Sequence, residues 1–232
     1  MKKIILLSMI ALVLLPGCST WSNTAKGTGI GSGAGAVVGA AIGALIGKDA
    51  KGAAIGAAIG TAVGAGTGAI IGNQMDKKAA ELAALENAEI EKITDVNGLE
   101  AIKVTFNSGI LFDTNKAALS KASKAELKDF ATKMSDFKDT DITIYGHTDN
   151  TGTAEVNERL SQQRAESVQK YLKECGIEPE RMVAQGMSFT MPIADNETVE
   201  GRAANRRVEI YISANEAMIK AAEEAAKAAS QN

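Results

Sequence analysis

The pattern of hydrophobic and polar positions divides the chain into segments of different period. After a short uncharged run near the start, residues 27–72 are almost all Gly, Ala, Ile, Val and Thr. Residues 73–96 are charged and rich in Ala and Leu, and strand-like and helix-like patterns alternate over 97–213. The chain ends in an Ala/Glu/Lys segment over 214–232. Because hydrophobic positions recur with different periods in helices and in strands, each segment predicts its own type of secondary structure.

Period-two alternation predicts strands within residues 97–213. The segments are 99–106, 141–145, 207–212 and, with a weaker pattern, 182–185. Two helices with apolar stripes are predicted between them, over about 116–137 and 154–174. This βαβαβ order predicts an α/β (α+β) domain of two layers, in which two helices cover one face of a small mixed sheet.

Ten glycines of residues 27–72 recur at intervals of four in two runs, 35–47 and 52–72, which are separated by residues 48–51. A spacing of four keeps them nearly aligned on a helix, as in helices that pack closely through small residues. We therefore predict a helical hairpin with a charged turn at residues 48–51; a flexible linker is the alternative, and it fits the regular spacing poorly. Each interior glycine costs roughly 1 kcal/mol relative to alanine, so close packing or a low-dielectric environment must compensate. The glycines are Gly35, Gly39, Gly43, Gly47, Gly52, Gly56, Gly60, Gly64, Gly68 and Gly72.

The segments on either side of the predicted domain both have helical composition. Residues 73–96 predict an exposed or self-associating helical spacer about 30 Å long. Residues 214–232 predict an Ala-rich helical tail, to which the sequence assigns no function. In this interpretation the folded domain comprises residues 97–213 alone.

The first residues have the form of a secretion signal. A basic start and a short apolar run end in Leu15-Pro16-Gly17-Cys18, which resembles the bacterial lipoprotein signal. The resemblance implies a signal peptide over 1–17, a lipid on Cys18 and a short linker over 18–26. Ser19, in place of an aspartate, favours the outer membrane. An ordinary secretory signal with a chance cysteine is the alternative.

Charge and composition exclude several function classes. Removal of Lys2 and Lys3 leaves 23 basic and 28 acidic residues, a formal charge of −5 with His147 neutral. Such an acidic chain lacks the basic surface that nucleic-acid binding needs. One histidine and one remaining thiol, Cys175, do not supply a clustered metal site, and we expect no cofactor. No two carboxylates have opposed environments, so we expect no enzymatic activity.

The second predicted helix carries the candidate chemistry. Taking 100° per residue, Asn157, Ser161 and Arg164 lie on the same side as the apolar stripe. A buried arginine needs a partner, either a protein carboxylate or that of a ligand. Asp149, in the turn before the helix, can bind an ammonium, and with Arg164 it would recognise a zwitterionic amino-acid head. The alternatives are an Asx-turn for Asp149 and a structural ion pair for Arg164.

At these residues the chain resembles a known family, the C-terminal domain of outer-membrane protein A, shared with peptidoglycan-associated lipoproteins and flagellar motor stator proteins. The glycine repeat resembles the glycine-zipper domains of some envelope lipoproteins. The matching residues are Leu111-Phe112-Asp113, Gly146-His147-Thr148-Asp149, Gly152, Asn157, Leu160-Ser161, Arg164-Ala165, Gly201-Arg202 and Asn205-Arg206-Arg207-Val208.

The resemblance implies non-covalent binding of peptidoglycan through meso-diaminopimelate. Asp149 and Arg164 would hold its amino and carboxylate groups. One of the adjacent arginines, Arg206 in preference to Arg207, would close the pocket while the other is solvated. The other pocket residues implied are Asn157, Thr151, Leu160, Phe112 and Asp113, although Asp113 could instead cap the first helix.

Two functions from different classes remain. The first is a lipoprotein that tethers the outer membrane to peptidoglycan, with its globular domain in the periplasm. The second is a membrane-active or homo-oligomerising protein, in which the glycine repeat acts and the domain only localises it.

Overall fold

The computed structural model describes residues 64–95, 97–107, 111–112 and 115–231. Five strands form one sheet in the order β1-β2-β5-β3-β4. Strands β3 and β4 run parallel and the other neighbours are antiparallel, so the predicted mixed sheet is confirmed. The strands are β1 (Ala88–Thr94), β2 (Glu100–Asn107), β3 (Thr140–Gly146), β4 (Met182–Gly186) and β5 (Arg207–Ala214).

Helices of the described residues precede, separate and follow these strands. One 3-10 turn, Pro179–Arg181, leads into β4. None of the described helices combines the length and the apolar character that a membrane span requires. The helices are α1 (Ala65–Leu82), α2 (Lys121–Lys133), α3 (Ala154–Glu174), α4 (Val199–Asn205) and α5 (Glu216–Ala229).

The sheet has one face on the main hydrophobic core. In the central strand β5, Ile210 is paired with Val104 of β2 on one side and with Ile144 of β3 on the other. Paired residues project to the same face of a sheet, and on this face all three side chains are fully buried. Their neighbours Phe106 and Phe130 meet edge to face, with ring centroids 6.3 Å apart. This core joins the sheet to helices α1, α2, α3 and α5.

The prediction of a helical spacer over residues 73–96 is confirmed as a helix up to Leu82 but is wrong for the residues that follow and for the exposure of the helix. Helix α1 crosses the expected boundary at residue 72 and ends at Leu82, and residues 88–94 form β1, paired with β2. Ile71, Met75 and Leu82 are at most 1% exposed, so α1 belongs to the core. The charged, Ala-rich composition also suits a half-buried helix and an edge strand, and only contacts distant in sequence distinguish them.

The C-terminal helix is also part of the fold. The predicted helicity of the tail is confirmed by α5, but α5 packs on α1 and buries Met218, Ile219 and Ala222. At Gly66 of α1, an added Cβ would lie 3.3 Å from the Ala226 side chain, so the two helices approach closely. The expectation of two helices on the sheet is therefore corrected to four among the described residues.

The two predicted internal helices differ in how well their bounds agree. Helix α3 has the predicted bounds, whereas α2 begins at Lys121, after an N-cap formed by Ser120. The alternative role of Asp113 as this cap is therefore wrong, because Ser120 accepts the Ser123 amide. Asp113 itself lies outside the described residues, as do the predicted signal peptide, Cys18, the linker and the glycine hairpin up to residue 63.

Candidate functional site

Two glycines bring α3 unusually close to the sheet. A Cβ on Gly146, the last residue of β3, would overlap the Ser161 carbonyl oxygen. A Cβ on Gly186, the last residue of β4, would overlap the Gln162 backbone nitrogen. The N-terminal half of α3 therefore lies against the carboxyl ends of two parallel strands. This contact places the polar half of the helix beside the loop that follows β3.

A tight turn connects β3 to α3 and sets the candidate site. The Asp149 carboxylate accepts a hydrogen bond from the Thr151 amide at 2.9 Å, which confirms the Asx-turn interpretation. Gly152 has φ +92, a left-handed conformation that favours glycine. The Thr153 hydroxyl then caps α3. Asn157, which is buried, donates to the Thr151 carbonyl at 2.9 Å and holds the turn to the helix.

Arg164 is buried without a carboxylate partner among the described residues. Its side chain lies in the interior, with the residue 3% exposed. Nε donates to the Lys116 carbonyl at 3.2 Å, and the guanidinium carbon lies 5.3 Å from the centre of the Phe112 ring. Nη1 is buried and has no hydrogen-bond partner. The arginine is thus fixed by a carbonyl and a ring, and one of its donors is left without an acceptor.

Asp149 forms an ion pair with Arg206. Nη1 of Arg206 lies 2.6 Å from Oδ2 of Asp149, and the Asp149 side chain is 11% exposed. Burial alone would raise the pKa of Asp149, but the hydrogen bonds from Arg206 and from the Thr151 amide hold that pKa below its usual value. The structure places Arg206 at the site, as the resemblance implied. Arg207, expected in solvent, is buried instead.

Among the described residues, the site carries more positive than negative charge. Burial lowers the pKa of Arg164, the nearby Arg206 lowers it further, and Asp149 raises it. Two guanidinium groups therefore act on one another, and the single carboxylate of Asp149 is already paired with one of them. At reduced dielectric this excess of one positive charge favours the binding of an anionic group.

The segment before Arg206 is anchored by a buried asparagine. Asn205 is fully buried, and its Oδ1 accepts hydrogen bonds from the amides of Ile193 at 2.8 Å and Ala194 at 3.0 Å. Its Nδ2 donates to the Ala194 carbonyl at 2.8 Å. The backbone at Arg206 is thereby held in place by a loop that precedes α4. The Arg206 side chain itself is 38% exposed and extends from this anchor to Asp149.

The remaining predicted site residues contribute less directly. Leu160 lies half-buried one helical turn before Arg164, and the Thr151 side chain is exposed. The position of Asp113 lies outside the described residues. The sequence did not predict the contact of Arg164 with the backbone of Lys116. No sequence pattern indicates such a contact, because any residue offers a carbonyl oxygen.

A second group of buried polar residues lies on the opposite face of the sheet. Glu209 accepts hydrogen bonds from Arg207 at 2.6 Å and Tyr211 at 2.7 Å, and its carboxylate lies 3.4 Å from Nε2 of His147. Burial would raise the pKa of Glu209, but His147, Arg207 and Tyr211 hold it well below the usual range. His147, which directly follows β3, is 1% exposed. Burial lowers its pKa.

Two family models match the chain. Residues 111–206 match the OmpA family, and residues 1–76 match the YMGG-like Gly-zipper. The first match contains the turn, α3 and Arg206, and the second ends within α1. The chain therefore carries an OmpA-like domain preceded by a glycine-zipper segment, which confirms both resemblances stated from the sequence.

Similar proteins share the domain rather than the whole chain. Outer membrane protein Omp38 of Acinetobacter baumannii is 42% identical over 47% of this chain and 31% of its own length. Peptidoglycan-binding protein ArfA of Mycobacterium tuberculosis is 40% identical over 49% of this chain and 35% of its own. The protein named probable lipoprotein YiaD of Escherichia coli is 37% identical over 62% and 64%. The chain thus spans less than two thirds of each of these relatives.

A solved structure shows the same fold. The cell wall anchor of the T6SS from Pseudomonas aeruginosa superposes with a TM-score of 0.52 and 28% identity, covering 61% of this chain and 97% of that one. The predicted fold class is therefore confirmed by both the described strands and helices and this likeness.

Proposed function

We propose that this protein binds peptidoglycan non-covalently, by holding the amino and carboxylate groups of a diaminopimelate residue of the stem peptide. The observation that carries the proposal is Arg164, which is buried without a carboxylate partner among the described residues and has one donor, Nη1, unsatisfied. A ligand carboxylate supplies the missing acceptor. No chemical step is involved; the protein acts by binding alone.

The free energy of the unliganded site supports a ligand role for Arg164. A buried donor without a partner costs about 1–3 kcal/mol, and more where the group is charged. Structural arginines avoid this cost by pairing with a carboxylate, as Arg207 does with Glu209. An anion that accepts from the guanidinium recovers the cost through charge-assisted hydrogen bonds. Arg164 is therefore destabilising in the free protein and stabilising in a complex.

The comparisons support the ligand class. ArfA is named as a peptidoglycan-binding protein and the T6SS component as a cell wall anchor. Both share with this chain the domain that contains the turn at Asp149 and helix α3. The zwitterionic head that Asp149 and Arg164 can recognise is the end group of diaminopimelate, which the wall presents as a stem-peptide side chain.

We also propose that the protein is anchored in the outer membrane by a lipid on Cys18, with the OmpA-like domain in the periplasm. The Leu15-Pro16-Gly17-Cys18 sequence and the similarity to a named lipoprotein and to outer membrane proteins support this location. Binding to the wall at one end and to the membrane at the other makes the protein a tether. Replacement of Cys18 by serine should release the protein from the membrane fraction.

The test of wall binding is co-sedimentation of the full-length protein in detergent with purified diaminopimelate-type peptidoglycan. We expect the Arg164→Gln variant to lose at least tenfold in affinity, because the ligand carboxylate loses its buried partner. Arg159→Gln removes the same charge from the exposed side of the same helix and is the matched control. Free meso-diaminopimelate should compete with sedimentation, and pimelate, which lacks amino groups, should not.

Urea unfolding of both variants establishes that they are folded before sedimentation is compared. Undiminished sedimentation of folded Arg164→Gln, or equal losses in Arg164→Gln and Arg159→Gln, would refute the site. Loss in the first variant alone, with competition by diaminopimelate, supports it.

A second candidate function is homo-oligomerisation through the glycine repeat. The four-residue spacing and the match of residues 1–76 to the Gly-zipper family favour it. Because α1 at the end of the repeat is docked on the domain, a deletion should leave α1 intact and remove only residues 27–63. Oligomer size by light scattering and leakage of liposomes measure the effect, and no change in either property removes this candidate.

A further inference from the structure

In the free protein, Asp149 and Arg164 are not in equivalent states. Both carboxylate oxygens of Asp149 are engaged, Oδ1 by the Thr151 amide and Oδ2 by Arg206. Arg164 keeps a buried donor unsatisfied. The position that a ligand ammonium needs is therefore taken by a cation of the protein, while Nη1 of Arg164 still lacks an acceptor.

We infer that Arg206 is an internal substitute for the ligand ammonium and exchanges partners when the ligand binds. The ammonium displaces Arg206 from Asp149, and the released guanidinium joins Arg164 in holding the ligand carboxylate. This inference rests on the proposed function and deepens it, because it assigns the selectivity of the site to Arg206. Before the exchange Arg164 has no carboxylate partner among the described residues; after it, Asp149 holds the ligand ammonium, and Arg164 and Arg206 share the ligand carboxylate.

The structure allows this exchange without a change of fold. The Arg206 side chain is 38% exposed, so it can leave Asp149 by rotation about its own bonds. The preceding residue Asn205 is fully buried and holds the backbone. Burial and the nearby Arg206 both lower the pKa of Arg164, so the two cations belong to the same site and both can attract a ligand carboxylate.

The exchange makes the site selective for an ammonium and a carboxylate on the same carbon. An amine without a carboxylate replaces one cation on Asp149 by another and leaves Arg206 without an anion. A carboxylate without an amine can recruit Arg206 only if Asp149 gives up its partner. An amino-acid head satisfies both requirements at once, so Arg206 excludes simple amines.

The test compares two probes, meso-diaminopimelate and cadaverine, which has the same five-carbon spacing of amines without carboxylates. Their affinities for the full-length protein in detergent are measured by titration calorimetry. Without Arg206, Asp149 is open to any amine and the carboxylate loses one of two cations. We expect Arg206→Gln to decrease the ratio of diaminopimelate to cadaverine affinity by about fivefold or more. Arg206→Lys keeps a cation for Asp149 and should restore most of the ratio, and Arg159→Gln should leave it unchanged.

The outcomes distinguish the inference from the proposed function. If the wild type binds diaminopimelate and folded Arg206→Gln keeps the same ratio, the exchange is refuted while the proposed function stands. If Arg206→Gln decreases the ratio and Arg206→Lys does not restore it, Arg206 acts through structure and the exchange is again refuted. If the wild type does not bind diaminopimelate, both the proposed function and the inference are refuted.

Discussion

Nζ of Lys78 in helix α1 lies 2.8 Å from Oδ1 of Asp136, just beyond the end of helix α2. The same ammonium donates to the Lys133 carbonyl at 2.8 Å, one of the acceptors left free at a helix C-terminus. Although burial would lower the pKa of Lys78, the hydrogen bonds to Asp136 and Glu81 raise it above its ordinary value. The helix that follows the glycine repeat is therefore joined to the domain by specific polar contacts as well as by its apolar face.

We predict that Lys78→Ala lowers the free energy of unfolding by about 1–3 kcal/mol, because a helix end loses its donor and the buried lysine stem leaves a gap. Lys77→Ala, on the exposed side of the same helix, is the control and should change the free energy by about 0.5 kcal/mol or less. Urea denaturation measures both values. Equal effects of the two substitutions would mean that α1 does not depend on this contact.

Glycine substitutions should have opposite effects at two positions. Gly146→Ala should destabilise the domain by at least about 2 kcal/mol, because the new methyl group would overlap the Ser161 carbonyl and push α3 from the sheet. Gly68→Ala, in α1 with open space around it, should stabilise the protein by about 1 kcal/mol through helix propensity. Thermal unfolding followed by circular dichroism measures both. A Gly146→Ala protein as stable as the wild type would contradict the close approach of α3.

Stability should depend on pH through His147, the only histidine in the chain. Its pKa in the folded protein is below the ordinary 6.5, so the unfolded chain takes up a proton first as the pH falls. Stability is therefore fully present above about pH 6.5 and decreases below it, by at most about 1.4 kcal/mol per pH unit. Urea unfolding between about pH 7.5 and 5.5 measures this slope. His147→Gln should abolish it, and a slope that persists in that variant would assign it to other groups.

Two glutamines of α3 cover the outer edge of the sheet at β4. Gln162 accepts from the Gly186 amide at 2.6 Å, and Gln169 donates to the Met182 carbonyl at 2.9 Å. An edge strand with free backbone groups tends to pair with another copy. We predict that the Gln162→Ala, Gln169→Ala double variant self-associates at concentrations where the wild type does not, as measured by sedimentation velocity.

The control for this prediction is Gln163→Ala, which replaces the exposed neighbour of Gln162. It should sediment like the wild type. If the double variant also sediments like the wild type at high concentration, the hydrogen bonds of Gln162 and Gln169 do not protect the edge of β4 and the prediction is wrong.

Local patterns predicted the elements whose neighbours are close in sequence. The apolar stripe predicted α3 with its observed bounds, since a helix is determined by contacts within one or two turns. The prediction for the segment before residue 97 was wrong for the opposite reason. Whether residues 88–94 form a helix or a strand depends on pairing with β2, which their own composition does not encode.

By itself, the sequence determined the OmpA-like motif, the placement of Asp149 in a turn, and the presence of a buried arginine that would need an anion. Only the tertiary structure decided that α1, β1 and α5 belong to the folded domain and that Arg206 contacts Asp149 while Arg207 is buried with Glu209. Adjacent residues of the same type have the same chemistry. Whether Arg206 or Arg207 faces the site depends on the face of β5 to which Arg207 projects and on the anchor at Asn205. Both are fixed by contacts between segments far apart in the chain.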